Sequence, residues 1–200
     1  MWQDFKPTIL FLIKFFGVYL VLSWLYGVYI SDYDQSEPAI LDPFTRVVAG
    51  HCTRSAEVFG YQTQTVQDDH LRLETLPEQT YDSIWFDGIY AISIEEGCNG
   101  LNIMILFLAF VIAFGGKLLN MLIFIPAGII FIHLANIGRL LLLSLLNVEF
   151  GGRAFHFFHK YGFTAFIYLA VLLLWYLWVT KLNGKTSYRK KPGKREAERS

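Results

Sequence analysis

Cys98 stands in the stretch Glu95-Glu96-Gly97-Cys98-Asn99-Gly100-Leu101, where a polar region gives way to a long apolar run. Two acids, a thiol and two glycines at the mouth of a hydrophobic helix serve no purpose in merely crossing a bilayer. A thiolate is a strong nucleophile, and the flanking glycines Gly97 and Gly100 leave its sulfur open to a peptide backbone. A second chemical group, Asn136-Ile137-Gly138-Arg139, lies inside a later apolar run. An arginine within a membrane span is costly and ordinarily faces a partner or a cavity. A third is the pair His156 and His159, three residues apart before the last apolar run, so that a helix would place both on one face. Cysteine, histidine and arginine together suit acyl transfer. The thiolate attacks a carbonyl, a neighbouring imidazole or guanidinium lowers its pKa, and the other cation protonates the leaving amine or stabilises the oxyanion. Arginine keeps its proton near neutrality, so its part is electrostatic or that of a donor.

Each group has a plainer reading. Free cysteine commonly packs as a small apolar residue. Arg139 could snorkel or pair with Glu95 or Glu96, and the two histidines could be interfacial residues without a chemical role. Two histidines and one cysteine fall short of a zinc ligand set, so neither metal nor cofactor is expected. Cys52 and Cys98 do not form a disulfide framework, and a bridge between them would disable the nucleophile. His133, six residues before Arg139, points to another side of its helix and reads as a helix–helix hydrogen bond. His51 and Cys52 read as structural or incidental.

The elements that must carry these residues are membrane helices. The 200 residues are 54% hydrophobic and only 17% charged, against about 25% charged in ordinary chains. The apolar residues gather into runs near the ~20 residues that a spanning helix needs. The fold class expected is therefore an all-α integral membrane protein, with spans at about 8–30, 100–115, 118–146 and 163–182. The first run is too long for a signal-peptide core and no small-residue cleavage site follows it. The third, if one helix, reaches about 43 Å, and its Pro126 and Gly128 should kink rather than divide it. Residues 31–97 form an extramembrane loop with a short helix expected over Pro43–Phe59. Ile84–Ile94, apolar but too short to span, is expected as an interfacial or partly inserted element, the interfacial helix of this fold class, that delivers Cys98 to the membrane surface.

Charge sets the orientation. Lysines and arginines crowd the chain from Lys181 to Arg199, so the tail 183–200 belongs in the cytoplasm, in agreement with Lys117 in a tight turn. Counting back through four spans puts the N-terminus inside as well. The regions 31–97 and 147–162 then both face outward, and Cys98, the outer part of the third span and the histidines meet at one membrane face.

At this point the chain resembles a family. Glu96-Gly97-Cys98-Asn99-Gly100-Leu101 is similar to the E-G-C-S/N-G-L box of the exosortase/archaeosortase family. Ala135-Asn136-Ile137-Gly138-Arg139-Leu140 is similar to its N-x-x-R box, and a histidine before the last span completes the set. The short length and the segment Phe158-His159-Lys160-Tyr161-Gly162-Phe163 resemble the exosortase F (XrtF) type. The resemblance implies a membrane cysteine transpeptidase or protease at the cell inner membrane, its active site facing the extracytoplasmic side. Its partners would be the lipid bilayer and exported proteins carrying a C-terminal motif, a transmembrane helix and a basic cluster, with no nucleic acid. It further implies that Cys98 forms the acyl-thioester, that Arg139 is the proton donor, and that the histidine assists the transition state. Glu96, Gly97, Asn99, Gly100 and Asn136 would support them. One departure concerns the imidazole. The family spaces it four residues before a glycine, whereas His159 precedes Gly162 by three and His156 by six. His159 is nearer that register, with His156 as the alternative. A reading from another class is a non-catalytic assembly factor for surface protein or polysaccharide export, its cysteine packed in a helix interface.

Overall fold

The computed structural model describes residues 2–34, 40–68, 81–151 and 163–182. The basic tail and the histidines His156 and His159 lie outside the described residues. Helix α1 runs Trp2–Asp34, α2 Pro43–Val58, α3 Leu101–Phe114, α4 Leu118–Phe150 and α5 Phe163–Leu177, the last continuing as a π-helical turn over Trp178–Leu182. Between α2 and α3 lie the strands β1 (Thr63–Val66), β2 (Asp82–Phe86) and β3 (Ile89–Ile94), which form one antiparallel sheet in chain order.

Among the described residues, three helices are long and apolar enough to cross a membrane: Phe5–Tyr33, Leu118–Phe150 and Ala165–Leu182. The protein is thus a mostly helical, multi-pass membrane protein. Helix α3 is as apolar as these, but its 14 residues reach only about 21 Å. A glycine at each end sets this length: Gly100 at φ 80° and Gly115 at φ 71° occupy the left-handed region, where glycine is at ease. Helix α4 runs unbroken through Pro126, as its sequence led one to expect.

The four apolar helices pack through aromatic and small residues. Phe11 of α1 meets Phe110 and Phe114 of α3 edge-on, with centroids 5.6 and 6.2 Å apart. Phe107 of α3 lies over Gly128 of α4 so closely that a Cβ there would fall 2.2 Å from its Cζ. Gly128→Ala is therefore expected to destabilise the bundle by about 1–3 kcal/mol, the usual cost of overpacking. Thermal unfolding in detergent measures it, and adding Phe107→Leu should recover much of the loss.

At one end of the bundle sits a small unit made of α2 and the sheet. Helix α2 starts at Asp42, whose Oδ1 accepts the backbone N–H groups of Phe44 and Thr45 at 2.9 and 3.0 Å, with Pro43 in the first turn. Its end falls at Val58, close to the helix expected over Pro43–Phe59. Arg46 binds Asp68 at 2.7 Å, and the Asp68 backbone N–H donates to buried Asp82 at 3.1 Å, tying α2 to the sheet.

The segment Ile84–Ile94 departs from expectation: it is a β-hairpin, and not an interfacial helix. Its two-residue turn is Asp87-Gly88, both at positive φ (51° and 79°), which is the backbone a type I′ turn demands. Ile84, Phe86, Ala91, Ile92 and Ile94 are buried and face α2 and α4 in one apolar cluster. Asn147 of α4 holds the hairpin by donating to the Tyr90 and Ala91 carbonyls at 3.2 and 3.0 Å.

Candidate active site

Strand β3 leads directly into the residues that carry the thiol. Glu95 is extended, Glu96–Cys98 form a single 3-10 turn, and Gly100 starts α3. The turn closes on itself through Cys98 N–H to the Glu95 carbonyl (2.8 Å) and Asn99 N–H to the Glu96 carbonyl (3.2 Å). Glu96 enters the site through this carbonyl, and its side chain is half-buried.

Asn99 anchors the turn from below. It is 1% exposed, and every polar atom of its carboxamide is used. Its amide donates to Tyr26 Oη of α1 and to Thr45 Oγ1 of α2, each at 2.9 Å, and its oxygen accepts Leu101 N–H at 2.8 Å. One carboxamide thereby fixes the start of α3 against two other helices, and an unmet partner there would carry a desolvation cost.

Asn136 anchors it from the side. This residue of α4 is also 1% exposed and donates to the Cys98 carbonyl at 2.8 Å. Its own oxygen accepts from Arg139 Nη1 at 3.4 Å, one helical turn further along α4. The Arg139 Nε is buried and makes no hydrogen bond among the described residues. Gly100 is obligatory beside Asn136. At φ 80° any side chain would be strained, and a Cβ would meet Asn136 Cγ at 3.2 Å. Gly97 differs, because its Cβ position is open, with Glu95 Oε1 nearest at 4.0 Å.

Beside this turn lies a cavity of about 180 Å³, room for roughly one side chain, and Cys98 is not among its lining residues. Gly97 and Gly100 form one wall, Asn136 and Arg139 the polar one, and Ile103 and Ile132 the apolar ones. Helix α5 closes it with Ile167 and Tyr168. The sequence offers Tyr26 only as part of an interfacial aromatic belt and gives Tyr168 and Thr45 no part in the site, since each contributes through packing of distant segments.

Cys98 itself is 8% exposed, and its thiol lies above the ordinary value. Burial is the main cause, and the Glu95 carboxylate adds to it. The Arg139 charge and backbone hydrogen bonding at Glu95 pull the other way without overcoming burial. The described residues thus do not by themselves produce the low-pKa thiolate that a cysteine beside cations leads one to expect. Cys52 is more inert. It is fully buried on the inner face of α2, and burial pushes its thiol up to about 12 despite a hydrogen bond with Ser144. Both cysteines are free, so no bridge blocks Cys98.

The direction of these shifts has a measurable result. Alkylation of Cys98 should be slow at neutral pH and accelerate through the alkaline range, with Cys52 unreactive in the folded protein. Removing the positive charge by Arg139→Gln should raise the Cys98 thiol further and slow alkylation at fixed pH. Rates measured by mass spectrometry across pH test this, and a faster reaction in Arg139→Gln would contradict it.

His133 takes the structural part expected of it. Its Nε2 lies 2.9 Å from His51 Nδ1, a hydrogen bond joining α4 to α2 away from the cavity. His51 shares in that clasp, and Cys52 packs beneath it in the outer apolar cluster.

No curated protein and no solved structure matches the chain. A family model described as Transmembrane exosortase matches residues 39–176, the part that runs from α2 to α5 and holds both the Cys98 turn and the Asn136–Arg139 turn of α4. With more than half of its length matched, the chain belongs to the transmembrane exosortase family.

Proposed function

We propose that the protein is a cysteine transpeptidase or protease that cleaves C-terminal sorting signals from exported proteins. The observation that carries this reading is the link from the Cys98 carbonyl through Asn136 to Arg139 beside one side-chain-sized cavity. A nucleophile and a charged donor are held by one buried carboxamide, which is the preorganisation that acyl transfer needs. In the reaction, Cys98 Sγ attacks the scissile carbonyl carbon. The tetrahedral oxyanion faces the unspent donors of Arg139, and the C–N bond breaks as the leaving amine takes a proton. The resulting thioester passes its acyl group to an acceptor amine or to water. Since burial raises the Cys98 thiol, an imidazole must take its proton as substrate binds. His159 is assigned that part, with His156 as the alternative.

The proposed setting is the cell inner membrane, with four spans, both termini cytoplasmic and Cys98 on the extracytoplasmic side. The basic tail 183–200 and Lys117 support it. Residues 1–182 would be the membrane-embedded domain. A 14-residue α3 completes the second crossing only if Cys98 lies below the outer surface, within the headgroup layer. The short chain and the Phe-His-Lys-Tyr-Gly-Phe segment support the F type.

The burial of Cys98 favours one other reading, a non-catalytic assembly factor whose cysteine merely packs. Trapping separates the two. Incubation with a membrane-anchored substrate, followed by mass spectrometry of the Cys98 peptide, should yield a thioester adduct sensitive to hydroxylamine. A substrate cleaved without any adduct on Cys98, or never cleaved, would sink the proposal. The new C-terminal group on the product distinguishes transfer from hydrolysis.

A further inference from the structure

Lys14 lies nine residues inside the apolar stretch Phe5–Tyr33 of α1, about 13 Å from its start along the helix. An ionisable side chain at that depth needs a partner or a route to water. Among the described residues it makes neither an ion pair nor a hydrogen bond, and the nearby turn adds a further cation, Lys117, and no acid. Lys14 instead edges a groove of about 580 Å³ between α1 and α3. Leu10 and Phe11 wall it on one side and Phe110 and Phe114 on the other. The groove is at the end of α3 away from Cys98, where α3 stops at Phe114. Its back wall is fixed, because Phe110 stacks on Trp175 of α5 at 4.3 Å and 14°.

We propose that this groove is a site for an anionic phospholipid, its phosphate on Lys14 and an acyl chain against Phe11, Phe110 and Phe114. The chemistry selects this occupant. A groove between apolar helices, its one lysine within snorkelling reach of the headgroups, matches a phosphate in charge and an acyl chain in polarity. Snorkelling brings the ammonium toward the phosphate layer while its methylenes stay on the apolar wall. A second copy of the chain fits poorly, since the acids of α1 lie only near its ends, at Asp4, Asp32 and Asp34. A substrate helix followed by a basic cluster would be repelled.

The full-length protein in vesicles of phosphatidylcholine containing a minor fraction of phosphatidylglycerol provides the test, read by native mass spectrometry of retained lipid. Wild type should retain phosphatidylglycerol about fivefold over its share of the bilayer, as one lysine at headgroup level supports. Lys14→Gln should remove this preference, Lys14→Arg should keep it, and Lys117→Gln should leave it intact. A preference that survives Lys14→Gln overturns the proposal, as does one lost equally in Lys117→Gln, which would reflect surface charge in general. Unchanged lipid retention together with lost peptide processing in Lys14→Gln would assign the groove to the substrate and overturn it too.

Discussion

Cys98→Ser is expected to abolish processing, with a loss of about 10⁴-fold or more, as when a covalent nucleophile is removed. The serine hydroxyl fits the turn, because the hydrogen bonds that shape it run through the Cys98 backbone and through Asn99 and Asn136. The fold should therefore persist while the chemistry stops. Cys52→Ser provides the internal comparison, since that thiol is fully buried on α2 and burial pushes it up to about 12. It should process substrate at a near-normal rate and lose only some stability. In the same assay His159→Ala should be inactive, with slower thiol alkylation, and His156→Ala should cost much less. The opposite result would move the imidazole by one helical turn, and activity in both would remove a Cys–His pair from the mechanism. Processing of a tagged substrate in membranes, followed by its mobility shift, reads all four variants.

Arg139→Lys has the second large effect. The guanidinium spends one donor on Asn136 and keeps others for the cavity, a planar arrangement that an ammonium cannot reproduce. Charge and insertion into the membrane are retained, so the loss should appear in kcat. The expected size is about 10²–10³-fold, typical of removing one oxyanion donor. A lysine variant with normal turnover would reduce Arg139 to an electrostatic neighbour of Cys98. Asn136→Asp complements it. It replaces the donor to the Cys98 carbonyl by an acceptor, so the turn should loosen and activity fall even though Arg139 remains in place.

Much of the frame is written in the chain itself. Runs of apolar residues long enough to cross hydrocarbon mark α1, α4 and α5, because the free energy of insertion is a local sum that no distant contact reverses. Asp42-Pro43 announces the start of α2 by cap chemistry within a few residues. The Cys98 and Arg139 boxes were legible for the same reason: residue type and spacing suffice to place a thiol beside one helix and a guanidinium on another. The hairpin over Asp82–Ile94 was also legible, since Asp87-Gly88 between β-branched and aromatic residues is a strong turn signal. A short apolar run nevertheless has no period that separates strand from helix, so the run by itself suggests only an interfacial element.

Tertiary structure decided what no local sum contains. Asn99 finds its partners in Tyr26 and Thr45, 73 and 54 residues away, and Asn136 finds the Cys98 carbonyl 38 residues away. Tyr168 reaches the cavity only because of how α5 is turned against α3 and α4. The state of the thiol was decided in the same way. A cysteine near two cations suggests an acidic thiol, yet the sheet and α2 fold over Cys98 and exclude water, and losing hydration outweighs the attraction of Arg139. Residue types set which charges are available, and packing sets how strongly each is felt.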